Sequence, residues 1–200
     1  VPGARDTLLS LGDFLDENGL RPHQKEIQET QAEISARFRR CYRFLAAANE
    51  VWAASAGGAE NAGKARGLAA EWGEAMPLRG GEGSARQLFG AAYTPKGLID
   101  LTDGMPVQKT FTVLCPQGCF ATGLMARLSE LAVSRGLHAV ELLHPLNPPE
   151  LSGVLVPAHG LLFRAAAAGG ERAPARAAAG ERIAAPPEAL FDLRPVRERE

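Results

Sequence analysis

Thr110-Phe-Thr-Val-Leu-Cys-Pro-Gln-Gly-Cys-Phe-Ala-Thr-Gly-Leu-Met-Ala-Arg-Leu-Ser-Glu-Leu-Ala-Val-Ser-Arg-Gly136 changes its period once, and that change decides the fold. Thr110 to Leu114 is β-branched and apolar, the composition of a short buried strand. From Thr122 to Arg135, Leu124, Leu128 and Leu131 recur at helical spacing, and Gly136 supplies a stop. His138 to Leu143 then reads as another strand. Strand, helix and strand with a short return imply a crossover between parallel strands, and hence an α/β class.

The turn inside this unit has the context of a G-x-x-x-x-G-K-[ST] phosphate-binding loop. Laid on that pattern without a gap, Cys115-Pro-Gln-Gly-Cys-Phe-Ala-Thr122 keeps only the final hydroxyl. Cys115 and Phe120 replace the two glycines, and Ala121 replaces the lysine. A Phe ring stands where a phosphate would lie, and Ala has no charge to offer one. What remains is the Thr122 hydroxyl and the positive end of a helix dipole. The residues lining such a loop are Gly118, Cys119, Ala121, Thr122 and Gly123. The other reading is an ordinary strand–turn–helix that never held phosphate.

Three further stretches bear on that choice: the segment ending Leu11-Gly-Asp-Phe-Leu-Asp16, Phe38-Arg-Arg-Cys-Tyr-Arg-Phe-Leu-Ala-Ala-Ala48, and Leu88-Phe-Gly-Ala-Ala-Tyr-Thr-Pro-Lys-Gly97. In this order they make the chain resemble a little-characterised group of bacterial ATPases built from two P-loop halves in tandem. The resemblance spans residues 2 to 164. It implies that the chain carries the helical region and the core of the second half, without the first P-loop. It also implies ATP and Mg²⁺ as ligands. The family's second hydrophobic strand ends in a magnesium-binding Asp. The matching stretch here, Val154 to Phe163, is followed by Arg164, a cation that repels the metal.

The expectation is therefore a degenerate half with weak or no nucleotide binding and hydrolysis. It would assign no catalytic residue and no metal ligand, and would either self-associate or dock on a P-loop partner half. One alternative is a working ATPase that borrows Lys96 or Lys109, although Lys109 precedes the strand and should emerge at the end away from the loop. Another is a helical protein-interaction module that the α/β portion merely stabilises.

Bulk properties exclude several classes. A formal net charge of −1, with Lys and Arg scattered, advertises no nucleic-acid surface. No apolar run approaches the ~20 residues that cross a bilayer. Three cysteines, an odd number, argue against a disulfide framework and fit a reducing cytoplasm. The start at Val1, with neither Met nor a signal pattern, leads us to expect a trimmed or partial chain.

Residues 1–85 read as a helical region. From His23 onward Ile27, Ile34, Phe38, Cys41, Leu45, Ala48 and Trp52 repeat at sevens, fours and threes, a single apolar seam on a long helix. Gly57-Gly58 breaks it. A second helix near Gly63 to Ala75 carries Leu68 and Trp72 four apart, which predicts a helical hairpin with Trp72 turned to the seam. Residues 77–87 read as a flexible linker. Residues 86–168 form the small P-loop-like parallel core, and 169–200 a low-complexity, disordered tail. Only the helix from Thr122 is expected to cover the sheet, so one face and one edge should lie open. Cys115, Cys119, His138 and His144 are the only group that brings a zinc site to mind, and their spacing is loose for one.

Overall fold

The computed structural model describes residues 12–56, 60–105, 107–116, 119–167, 181–185 and 190–191. These form a mixed α/β protein with a long N-terminal helix, in two compact units that divide between Phe44 and Leu45.

The first unit holds a short helix α1 (Glu17–Leu20) and the greater part of α2 (Gln24–Ala56). Asp16 caps α1 by accepting the Gly19 amide at 2.9 Å. Lys25–Glu29 and Glu33–Arg37 pair along α2 at one-turn spacing, each pair exposed and worth only ~0.3–0.5 kcal/mol. Every residue of described burial from Gly12 to Phe44 is exposed. On the seam, expected to be buried against the second helix or another subunit, Ile34 is 47 % and Phe38 37 % exposed.

The second unit is built on one sheet. Its strands are β1 (Ser84–Phe89), β4 (Lys109–Cys115), β5 (His138–Leu143), β6 (Leu151–Val156), β7 (Leu161–Ala167) and β8 (Glu181–Ala185), while β2 (Ala91–Thr94) and β3 (Gly97–Asp100) form a separate hairpin. The spatial order is β1-β5-β6-β7-β4-β8. β1 pairs with β5, and β4 with both β7 and β8, in parallel. β6 runs antiparallel to both its neighbours. The expected parallel core is thus a mixed sheet, because the connections 144–150 and 157–160 are too short for the crossover that parallel neighbours need.

Two helices, α3 (Ala62–Gly73) and α4 (Thr122–Ser134), pack together and supply the main core, α3 with Ala65, Ala69 and Trp72 and α4 with Leu124, Leu128 and Ala132, together with Val113, Val154 and Phe163 of the sheet. Trp72 does not turn to the long seam. It lies 5.5 Å from the Phe111 ring and 6.1 Å from the Phe163 ring, and those two rings stack at 5.0 Å. An aromatic of that size gains more by filling a sheet-facing cavity than by lying on a solvated helix. The hairpin expectation fails with it: α3 belongs to the α/β unit, not to a helical region ending at 85.

Further boundaries move for similar reasons. Ser84 to Gln87, expected in a linker, are strand β1, whose Gln87 amide donates to Glu141 at 3.0 Å. The expected disordered tail contributes β8 to the sheet and Leu190 and Phe191 to the core, both essentially without exposed surface. Gly136 ends α4 as expected, with φ +76° and its amide on the Val133 carbonyl at 3.0 Å. The opposite face of the sheet carries a smaller cluster, Val140, Leu142, Leu155 and Leu162, packed by Met105 and Val107 from the loop before β4.

Trp72→Ala should cost ~3–5 kcal/mol of stability, as expected for emptying a packed aromatic site. Trp72→Phe should cost far less, since the indole Nε1 has no hydrogen-bond partner among the described residues and its loss removes a buried orphan donor. Phe38→Ala should move stability by less than ~1 kcal/mol under conditions that keep the chain monomeric. Urea unfolding of the three variants checks the ranking.

Candidate functional site

The carboxyl ends of β4 and β5, the amino end of β6 and the first turn of α4 meet at one end of the sheet, where ligands of open α/β sheets bind. Four amides at the start of any helix lack intrahelical acceptors. The residue at the cap position of α4 is Ala121, which has no side-chain acceptor. Glu60 supplies one from a distant segment. Its carboxylate accepts the Gly123 amide at 2.8 Å and the Leu124 amide at 2.6 Å. An anion does sit on this helix dipole, and it belongs to the chain itself.

The neighbouring Asn61 performs the same task for α3, accepting the Gly63 and Lys64 amides at 3.0 Å each. The pair is held in place by Phe191, bridged to Glu60, and by the Leu190 carbonyl, which accepts the Asn61 amide at 2.9 Å. A Cβ on Gly123 would approach the Glu60 carboxylate to 2.9 Å, so a bare backbone at 123 allows the clamp to close.

The Thr122 hydroxyl is also engaged. It donates to Glu150 and accepts the Leu151 amide at 3.0 Å. Ala121 has no exposed surface, and Cys119 is half-buried with its amide on the Pro116 carbonyl at 3.0 Å. Gly118 lies outside the described residues. The Phe120 ring meets the His144 imidazole edge-on at 4.8 Å. Of the five residues expected to line the loop, Thr122 through its hydroxyl and Gly123 through its amide reach carboxylates, those of Glu150 and Glu60.

Burial raises the Glu60 carboxyl above its ordinary value, and Glu150 adds to the shift, while the two amides and Arg127 pull it down. Burial also pushes the Cys115 thiol up to about 12, with Cys119 and Glu60 contributing, so that it carries no thiolate near neutrality. His144 is lowered by burial, against a partial offset from Glu150.

Arg164 is not at this end of the sheet. β7 continues to Ala167, and Arg164 sits mid-strand opposite Thr112, donating from Nε to Thr112 Oγ1 at 3.3 Å. The expectation that it stands where a magnesium acid would be is corrected by the length of the strand. Lys109 opens β4 at the far end, its ammonium 4.7 Å over the Phe111 ring. His138 is also at the far end, 2.8 Å from Ser84 Oγ. Among the described residues no three His, Cys, Asp or Glu side chains converge as a metal site.

The class that fold and site define is a mixed α/β protein whose strand–loop–helix motif is closed by its own carboxylates. No protein-family model, no curated protein and no solved structure matches the chain. No described helix is long and apolar enough to cross a membrane.

The pH dependence of stability separates the two shifted groups. Because Glu60 binds its proton more tightly when folded, its stabilisation is full below an unfolded value of about 4.5 and is lost as pH rises through the folded value above it. Lowered His144 acts oppositely: its contribution is present above about 6.5 and lost as pH falls through the folded value below it. Melting temperature against pH should therefore lose its decline above 4.5 in Glu60→Gln, and its acid decline below 6.5 in His144→Gln.

Proposed function

We propose that the chain is a degenerate P-loop-type half that neither binds nor hydrolyses nucleotide to any useful extent, and that it serves a partner-facing role in the cytoplasm. The observation carrying this reading is the Glu60 carboxylate on the Gly123 and Leu124 amides. Those donors would have to serve a phosphate, and a fixed carboxylate both takes them and repels a second anion. The absence of Lys at Ala121, the buried state of that residue, and the Thr122 hydroxyl bound to Glu150 support the same reading. ATP and Mg²⁺ are thereby ligands of the resembled family that this chain has given up.

A second reading, a helical interaction module, is favoured by the exposed apolar seam of α2. The two are compatible, since a closed loop leaves the helix as the surface available for work.

Titration calorimetry with Mg·ATP should show no saturable binding at micromolar concentrations. Losing one charge-assisted phosphate contact forfeits ~1.5–3 kcal/mol, or roughly ten- to a hundredfold in affinity, before any clash with Phe120. A low-micromolar dissociation constant overturns the proposal. The exchange Phe120→Gly with Ala121→Lys should lower stability without restoring affinity, because Ala121 has no exposed surface and Glu60 still holds the amides.

A further inference from the structure

Two of the three cysteines stand at the ends of one turn. Cys115 is the last residue of β4 and lies 2 % exposed in the main core. Cys119 is half-buried and packs against that same core. The Cys119 amide donates to the Pro116 carbonyl at 3.0 Å, a bond three residues in span that closes the chain on itself. Such a bond keeps the Cα atoms of the residues it joins within ~7 Å, and Cys115 directly precedes the first of them. Disulfides bridge Cα separations of about 4.4–6.8 Å. The two sulfurs also share a charged environment, since Cys119 is among the causes that raise the Cys115 thiol. The remaining cysteine, Cys41, is exposed on α2.

The members of the pair are unequal. Burial, then the charges of Cys119 from the turn and Glu60 from the segment before α3, push the Cys115 thiol up to about 12. It is protonated near neutrality and closed to solvent, which makes it a poor first target for any reagent. Cys119 keeps part of its surface in water and is the thiol that a dissolved oxidant meets. A sheltered thiol beside an accessible one is the arrangement in which one sulfur reacts and the other resolves the product.

We infer that Cys115 and Cys119 form a reversible dithiol–disulfide pair, oxidised by a low-molecular-weight disulfide that enters at Cys119 and leaves when Cys115 closes the bridge. Cys119, as thiolate, attacks one sulfur of the small disulfide and expels a thiolate. Cys115 then attacks the Cys119 sulfur and expels the second. One S–S bond of the reagent breaks and one protein S–S bond forms. The two thiol protons and two electrons end on the reagent, which departs as two thiols. The bridge joins the end of β4 to the turn leading into α4, so it closes covalently the motif that Glu60 and Glu150 close by hydrogen bonds. Transient disulfides of this kind in a reducing compartment are redox-sensing. The inference is independent of whether the loop holds nucleotide.

Oxidised glutathione is the probe, with Cys41→Ser in the full chain to keep intermolecular bridges out. Peptide mapping by mass spectrometry after alkylation should find a mixed disulfide on Cys119 first, then a Cys115–Cys119 bridge lacking two hydrogens, reversed by reduced glutathione. Conversion of the first to the second should quicken about tenfold per pH unit, because the thiolate fraction of Cys115 does so everywhere below about 12. Cys115→Ala should leave the mixed disulfide standing, and Cys119→Ser should give neither product. If Cys115→Ala fails to fold, the mapping of the Cys41→Ser chain decides alone. A mixed disulfide on Cys119 that never resolves overturns the inference, as does first attack at Cys115. So does a bridge that forms only in urea, which would show that the folded turn holds the sulfurs apart.

Discussion

Two adjacent residues, Glu60 and Asn61, satisfy the amino ends of both core helices, and the α/β unit is organised around that fact. A buried helix start with no acceptor would leave several amides without partners, each at a cost of ~1–3 kcal/mol. Asn61 meets the need of α3 from the position next to it in sequence, while Glu60 crosses to α4. The helices are thereby fixed at one end by a shared dipeptide, and at the other Arg135 of the second reaches the Gly73 carbonyl of the first at 2.5 Å. Between these ends the Trp72, Phe111 and Phe163 rings tie the helices to the sheet.

Periodicity made the central motif legible. Thr110 to Leu114, the helix from Thr122 with its Gly136 stop, and the strand from His138 to Leu143 all follow from local pattern, because a buried strand and an amphipathic helix write their burial into sequence at periods of two and 3.6. The register of the sheet is a different matter. Nothing in Leu151–Val156 distinguishes a strand returning antiparallel from one that crosses over; only the brevity of the flanking connections does. For Trp72, a helical face shows that the residue is buried and does not show against what. Ser84 to Gln87 looked like linker since an edge strand exposed on nearly all its residues carries no apolar alternation.

The candidate site was half legible. The strand–turn–helix could be read directly. Glu60 and Glu150 could not, since neither lies near the loop in sequence and a glutamate that caps a remote helix has no local signature. Glu150 follows two prolines in the short connection between β5 and β6. Once the cap position falls on Ala121, which has no side-chain acceptor, the helix needs one from elsewhere.

Phe191 and Leu190 reach back 131 and 129 positions to hold Glu60 and Asn61. During synthesis the chain emerges from its amino end, so the strands from β1 to β7 and both helices are available before their clamp can be set. The motif at the end of β4 is finished by a stretch of chain synthesised well after its own residues. Contacts of such separation slow folding, and until that stretch arrives the first turn of α4 presents its amides to water and to any anion in it.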